Sequence, residues 1–355
     1  SMVLCSKFKR KVLIRTDSNE VVSSGHVMRC LSIADALRSF DIVSVFAVSS
    51  TDMNEVIRAR GYDCVNLGSD WSNLACDFPL IERLLESDDY SFVLIDTYSI
   101  TNEYVSRISA YCPVGYLGSK ALISDSLTLI VNYSTAIDQD FYAQYYGNET
   151  TSLLGPQYAP LRKQFANVKR SFRENAESVL ITSGNTGDGR FLASLFSFIR
   201  MCPELSSLHY SVVCGRYFSQ EQAECELLSG GELSIDLLSN VSDMADLMLN
   251  SDVSISACGT TVYELGACSV PTIGFCLVEE QVPSAKGLRE SGSIMYAGES
   301  FVDPNACAES AVLALRQLAK SLDMRRCYGE KLHRISDGKG ALRIAEAVSG
   351  LIVVG

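Results

Sequence analysis

Histidine is scarce in this chain, three in 355 residues, and tryptophan occurs once. Cysteine is not scarce, but what is missing is its patterning: thirteen are present, with no CxxC pair and no Cys/His cluster. That scatter argues against structural zinc and against a disulfide framework, and suits free buried thiols in a reducing compartment. Cys30, Cys214, Cys258 and Cys276 sit inside apolar stretches, as such thiols do. Cations are in deficit too. Thirty Lys and Arg against 42 Asp and Glu give a net charge of −12, so no basic face for nucleic acid is expected. No apolar run approaches a membrane span and no signal-type apolar segment opens the sequence, which leads to the expectation of a cytoplasmic protein without membrane insertion.

What is present is an ordinary soluble composition, 47% hydrophobic and 20% charged, over a length that suits two domains with a core each. Residues 11–15 (KVLIR), 42–48, 64–67, 91–96 (SFVLID), 114–117 and 127–132 (LTLIVN) read as strands. Helical patterns fall between them at 53–60, 74–85 and 101–110. Strand and helix in repetition predict a parallel sheet covered on both faces, with its strand tips at one crevice. Thr16, Asp17, Asp96–Tyr98 and Asn132 are the tips expected there. Residues 134–148 are Tyr-rich and aperiodic, and 163–173 are basic and polar, which suits a linker. A second α/β series runs from 178 to about 348, with strands at 178–183, 210–214, 235–238, 253–257 and 271–277. Helices are expected at 191–200, 220–228, 244–250 and 262–267, with at least three more helical segments beyond.

The organising stretch is 14–37, IRTDSNEVVSSGHVMRCLSIADAL. A buried strand ends in a polar turn, and a helix opens at His26 with Val27, Cys30, Leu31, Ala34 and Leu37 on one face. The helix N-terminus carries partial positive charge, which disfavours an imidazolium there. A neutral imidazole beside a strand-tip crevice is a candidate general base; a capping or core histidine is the plainer alternative. Gly25 lets the chain turn before the ring, Asp17 is a candidate partner to orient it or equally a cap of its own loop, and Arg29 is a candidate contact for a phosphate or sugar substituent.

In the second half, 253–271 reads VSISACGTTVYELGACSVP. A strand runs into a small-residue turn and then directly into a helix, a geometry suited to a diphosphate. Gly259 allows close approach, Thr260 and Thr261 offer hydroxyls, and Glu264 one turn on can accept both hydroxyls of a ribose. An ordinary strand–helix turn with a surface Glu is equally compatible with the spacing. Gly184 and Asn185 begin a second turn after a strand.

These pieces together resemble a known family. Residues 15–34 (RTDSNEVVSSGHVMRCLSIA), Asp96–Tyr98, 155–165 (GPQYAPLRKQF), 256–271, 280–292 and 337–344 (DGKGALRI) are similar to the UDP-sugar hydrolases of pseudaminic acid biosynthesis and the spore-coat polysaccharide proteins of the SpsG type. That family is related to the UDP-GlcNAc-using glycosyltransferase that makes lipid II. The resemblance implies an α/β, GT-B-like fold: two Rossmann-type domains with a cleft between them, residues 1–165 and 166–355, the last helix packing back on the first. It implies an enzyme that hydrolyses a UDP-linked diacetamido-trideoxy sugar of the altrose type, releasing UDP with inversion at the anomeric carbon.

On that resemblance His26 matches the catalytic histidine and Tyr98 a substrate-pocket tyrosine. Asn132, Glu280 and Gln281 fall among the sugar contacts, and Glu264 matches the ribose-binding glutamate. Gly184, Asn185, Met244, Gly259, Thr260 and Thr261 complete the nucleotide side. No cofactor and no metal are implied, the partners are the UDP-linked amino sugar and its UDP product, and a monomer is expected. Three positions depart from the family pattern where sugar contacts fall: Thr97, the Gly118-Ser119-Lys120 stretch and Glu280. The alternatives are a GT-B glycosyltransferase using a UDP-amino sugar and a non-catalytic nucleotide-sugar binder. A membrane-working transferase would carry a basic-apolar docking run, and the nearest stretch, 7–11 (KFKRK), reads as a solvated charge run.

Overall fold

The computed structural model describes residues 10–19, 24–183, 189–215 and 232–352. The expected 184–188 turn and 220–228 helix therefore lie outside the described residues. The chain divides into two compact units, Ser1–Lys163 with Lys339–Gly355, and Gln164–Gly338.

In the first unit, β1 (Arg10–Thr16), β2 (Ile42–Val48), β3 (Asp63–Asn66), β4 (Phe92–Asp96), β5 (Val114–Leu117), β6 (Leu127–Asn132) and β7 (Thr151–Leu154) form one sheet. Its order is β3-β2-β1-β4-β5-β6-β7, and every pairing is parallel. The alternation of β1 separates two cores. Val12 and Ile14 join Val27, Leu31 and Ala34 of the helix Gly25–Arg38, while Leu13 joins Phe78, Ile81 and Tyr104 on the other face. The winding reverses between β1 and β4, so the carboxyl ends of those two strands mark the crevice of this unit.

The helix Gly340–Leu351 closes the first of these cores, burying Ile344, Ala345 and Val348 among the residues of Gly25–Arg38. Full burial of an aliphatic side chain of that size contributes about 1.5–3 kcal/mol. Its entry requires glycine: a Cβ on Gly340 would stand 2.1 Å from the Ala159 carbonyl oxygen.

The second unit holds β8 (Ser178–Thr182), β9 (His209–Val213), β10 (Ser234–Leu238), β11 (Val253–Ala257), β12 (Thr272–Cys276) and β13 (Met295–Glu299). The order is β10-β9-β8-β11-β12-β13, again parallel throughout. Phe191, Leu195 and Phe196 of the helix Gly189–Arg200 pack with Leu315 and Leu318 of the helix Pro304–Lys320 beneath it. Here the winding reverses between β8 and β11.

The stretch read as a basic, polar linker is held to this unit by its arginines. Arg170 Nε donates to the Cys268 carbonyl at 2.8 Å, and Arg173 Nη1 reaches Asp252 Oδ2 at 3.0 Å. The buried Arg325 donates to the carbonyls of Arg173 and Glu174, both at 2.8 Å. Among the described residues, β7, β13 and the helices Gln139–Tyr145 and Pro203–Ser206 have no counterpart in the sequence reading. β7 and β13 are edge strands of four and five residues, with no continuous apolar run to announce them.

Candidate active site

The register of β1 and β4 sets Thr16 beside Asp96 at the crevice of the first unit. The helix Gly25–Arg38 starts there, with Gly25 as its exposed first residue and His26 buried as its second. Asp96 shares the α-helical face of the sheet with Leu94, two residues earlier, so its carboxylate turns toward that helix. His26 Nδ1 lies 2.6 Å from Asp96 Oδ1. A carboxylate oxygen only accepts, so Nδ1 carries a proton, and in the neutral ring the lone pair is the one on Nε2. The ring of Tyr98, 65% exposed, meets the His26 ring edge-on with centroids 4.5 Å apart.

Arg29, one turn after His26, grips the same carboxylate. Its Nε donates to Asp96 Oδ2 at 2.6 Å, and its Nη2 donates to Oδ1. Nη1 donates to the Tyr133 hydroxyl at 2.7 Å, and the Cys30 thiol reaches Oδ2 at 3.4 Å. Burial alone would raise the Asp96 carboxyl, but the charge and hydrogen bonds of Arg29, with the bond from His26, hold it down at about 2. Burial equally works against the Arg29 charge and Asp96 outweighs it, so the guanidinium is held more firmly protonated than usual.

Asp17 does not orient the ring. Its Oδ1 accepts from Arg15 Nη1 at 2.6 Å and from the Ser49 amide at 3.2 Å. Alternation along β1 explains this, because residue 15 points with Leu13 to the face away from His26. A fully buried guanidinium there needs counter-charge, and it takes Asp77 Oδ2 at 2.6 Å as well as Asp17. Arg29 likewise spends Nε and Nη2 on Asp96 and Nη1 on the Tyr133 hydroxyl. Asn132, expected among the sugar contacts, is buried and shapes its own turn: Nδ2 donates to the Tyr142 hydroxyl at 3.0 Å and Oδ1 accepts from the Ser134 amide at 3.0 Å. Lys120 donates its Nζ to the Ile100 carbonyl at 2.7 Å.

Asp96 was placed at the crevice by its strand but given no role toward histidine. The period-2 count assigns it only once Leu94 is known to face the helix Gly25–Arg38.

In the second unit β11 ends at Ala257, and the helix Thr261–Ala267 begins three residues after Cys258 is passed, with Thr260 at its cap position. Gly259 is half-buried and Thr260 exposed. The Gln281 side chain lies over the glycine, where an added Cβ would meet Nε2 at 3.6 Å, and Gln281 Oε1 accepts from the Leu277 amide at 2.8 Å. Thr261 and Glu264 are both half-buried on the first turn of that helix, and Glu280 is exposed beside Gln281. Met244 opens the helix Met244–Leu249, whose next amide, that of Ala245, donates to Gln164 Oε1 at 3.0 Å. Gly184 and Asn185 lie outside the described residues. Among the described residues no group of three or more His, Cys, Asp or Glu could hold a metal ion, and no helix is long and apolar enough to cross a membrane.

Two parallel-sheet α/β units in one chain, together with the likeness to the solved structure of Acinetobacter baumannii MurG (TM-score 0.64 at 14% identity, covering 96% of this chain and 99% of that one), give the chain the GT-B fold. No protein-family model matches the sequence. The chain is similar to an uncharacterised protein of Methanocaldococcus jannaschii, 24% identical over 275 residues that take in 74% of this chain and 55% of that one, so it spans about half the length of that relative. It is also similar to the spore coat polysaccharide biosynthesis protein SpsG of Bacillus subtilis, 21% identical over 334 residues, 92% of this chain and 94% of that one. Among solved structures, the UDP-GlcNAc 2-epimerase of Neisseria meningitidis bound to UDP-GlcNAc superposes with a TM-score of 0.65 at 11% identity, covering 95% of this chain and 99% of that one.

Proposed function

We propose that this protein is a nucleotide-sugar hydrolase that releases UDP from a UDP-linked amino sugar, with His26 as the general base. The observation that carries the reading is the His26–Asp96 pair at the strand-tip crevice of the first unit: a ring fixed in one tautomer, Nε2 left to accept a proton, and an exposed tyrosine against it. The similarity to a polysaccharide biosynthesis protein, and a fold shared with an enzyme holding UDP-GlcNAc, support a nucleotide sugar as the substrate.

In this reading the second unit holds the UDP part, with the diphosphate at Gly259, Thr260 and Thr261 and the ribose on Glu264. The diphosphate is a good leaving group when hydrogen-bond donors meet its developing charge, so one base suffices on the sugar side. A water oxygen attacks the anomeric carbon from the face opposite UDP while its proton passes to His26 Nε2. The bond from the anomeric carbon to the phosphate oxygen breaks with its electron pair going to UDP, and the sugar leaves inverted. A diacetamido-trideoxy sugar of the altrose type, on the route to pseudaminic acid or a surface polysaccharide, is the substrate proposed.

The test is incubation with a panel of UDP- and CMP-linked amino sugars, without acceptor, while nucleotide release is followed. Release from the UDP-linked diacetamido sugar is expected. Release that begins only when an acceptor saccharide or lipid is added makes the protein a glycosyltransferase instead, and binding without release under either condition makes it a binder.

A further inference from the structure

His–Asp pairs in hydrolases ordinarily work in two ways at once: the carboxylate fixes the ring, and its uncompensated charge stabilises the imidazolium that forms. The pair here is built differently. Both oxygens of Asp96 are gripped by a cation, and the Arg29 Nη2 that donates to Oδ1 also stands 3.1 Å from His26 Nδ1. The ring therefore meets a negative and a positive charge at the same nitrogen.

We propose that Arg29 is a positioning residue that divides the two roles, leaving Asp96 to steer the His26 ring while cancelling its stabilisation of imidazolium. The base so made is oriented as in a charged dyad, with the Arg29 charge set against the Asp96 charge at the same ring nitrogen. Tyr133 completes the device by receiving Nη1 at 2.7 Å, which fixes the guanidinium plane against the carboxylate.

The other groups around the ring leave this balance to two charges. Cys30, on the same helix, and Tyr133, after β6, are kept in their protonated forms chiefly by burial, and burial pushes the Tyr116 phenol of β5 up to about 12. Tyr98, from the segment after β4, brings a ring edge. Among the described residues, Asp96 and Arg29 are thus the charged members of this cluster.

The inference rests on His26 acting as the base, but its test does not need a substrate. With three histidines in the chain, imidazole titrations followed by NMR give three curves, and a His26→Asn spectrum identifies the one that matters. In Arg29→Met the His26 midpoint is expected to rise by about one pH unit or more, since an opposite charge at this distance shifts a group by about 1–3 units. The acid limb of turnover should rise with it. Arg29→Lys, which keeps the charge and loses the fork, should stay near the wild-type midpoint and lose maximal rate. Adding Asp96→Asn to Arg29→Met should bring the midpoint back down. Should Arg29→Met fail to fold, Arg29→Gln, which retains donors without charge, carries the same expectation. A midpoint that stays put or falls in a folded, uncharged variant overturns the proposal, as does weakened UDP-sugar affinity with the titration unmoved. If the wild type releases no nucleotide from any UDP-sugar, the hydrolase reading falls while the titration still decides the role of Arg29.

Discussion

His26 and Asp96 are 70 residues apart in sequence, yet Nδ1 of one lies 2.6 Å from Oδ1 of the other. What joins them is a single topological fact, the adjacency of β1 and β4 at the point where the sheet reverses its winding. The helix after β1 supplies the ring, and the last residue of β4 supplies its acceptor.

Replacing His26 with Asn keeps the size and a donor but removes the proton acceptor. UDP affinity measured by calorimetry should hold, while turnover falls by about two to four orders of magnitude. A variant that keeps most of its hydrolysis rate would show the histidine to be structural.

Asp96 also contributes to stability in a pH-dependent way. Its folded value near 2 lies below the ordinary carboxylate value, so ionisation favours the folded state. That contribution, about 2 kcal/mol, is complete above about pH 4 and is lost as pH falls through about 2. Acid unfolding followed by circular dichroism should therefore show a steep loss in that window, and Asp96→Asn should remove that part of the slope.

Glu264→Ala tests the nucleotide side. Removing charge-assisted bonds worth about 1.5–3 kcal/mol should weaken UDP binding by roughly one to two decades. Titration with UDP reads this directly, and an unchanged dissociation constant would move the site elsewhere.

The helix Gly340–Leu351 offers a stability test remote from the chemistry. Ile344 is fully buried in the core it shares with Val27 and Leu31, so Ile344→Ala should cost about 2–5 kcal/mol. Denaturant unfolding should show the loss, with UDP affinity of the still-folded protein retained.

The fold was legible where periodicity was strong. The apolar runs at 42–48, 114–117, 127–132 and 253–257 are strands with those bounds. β7, the short Thr151–Leu154, was hidden because an edge strand needs only half-buried residues. The site was legible in part. His26 announces itself by rarity and by its place at a helix start, but its partner does not. Asp17 and Asp96 both end strands at the same crevice, and choosing between them requires knowing which sheet face each one serves. A strand of five residues inside a long apolar run hides that parity, because both faces are buried and both read alike. Asn132 is ambiguous for a related reason: a strand-tip amide can serve a ligand or its own turn, and composition does not separate the two.

The first unit is assembled from both ends of the sequence, with Arg10 Nη1 reaching Ser349 Oγ at 3.3 Å across a separation of 339 residues. During synthesis this imposes an order. Residues 164–338 emerge as one contiguous block and can condense as soon as they clear the ribosome, whereas the earlier-made strands wait with the apolar face of Gly25–Arg38 uncovered. The unit built on β1 is therefore completed only after residues 164–338 have been made, and a nascent chain halted before Gly340 leaves the apolar face of Gly25–Arg38 without its cover.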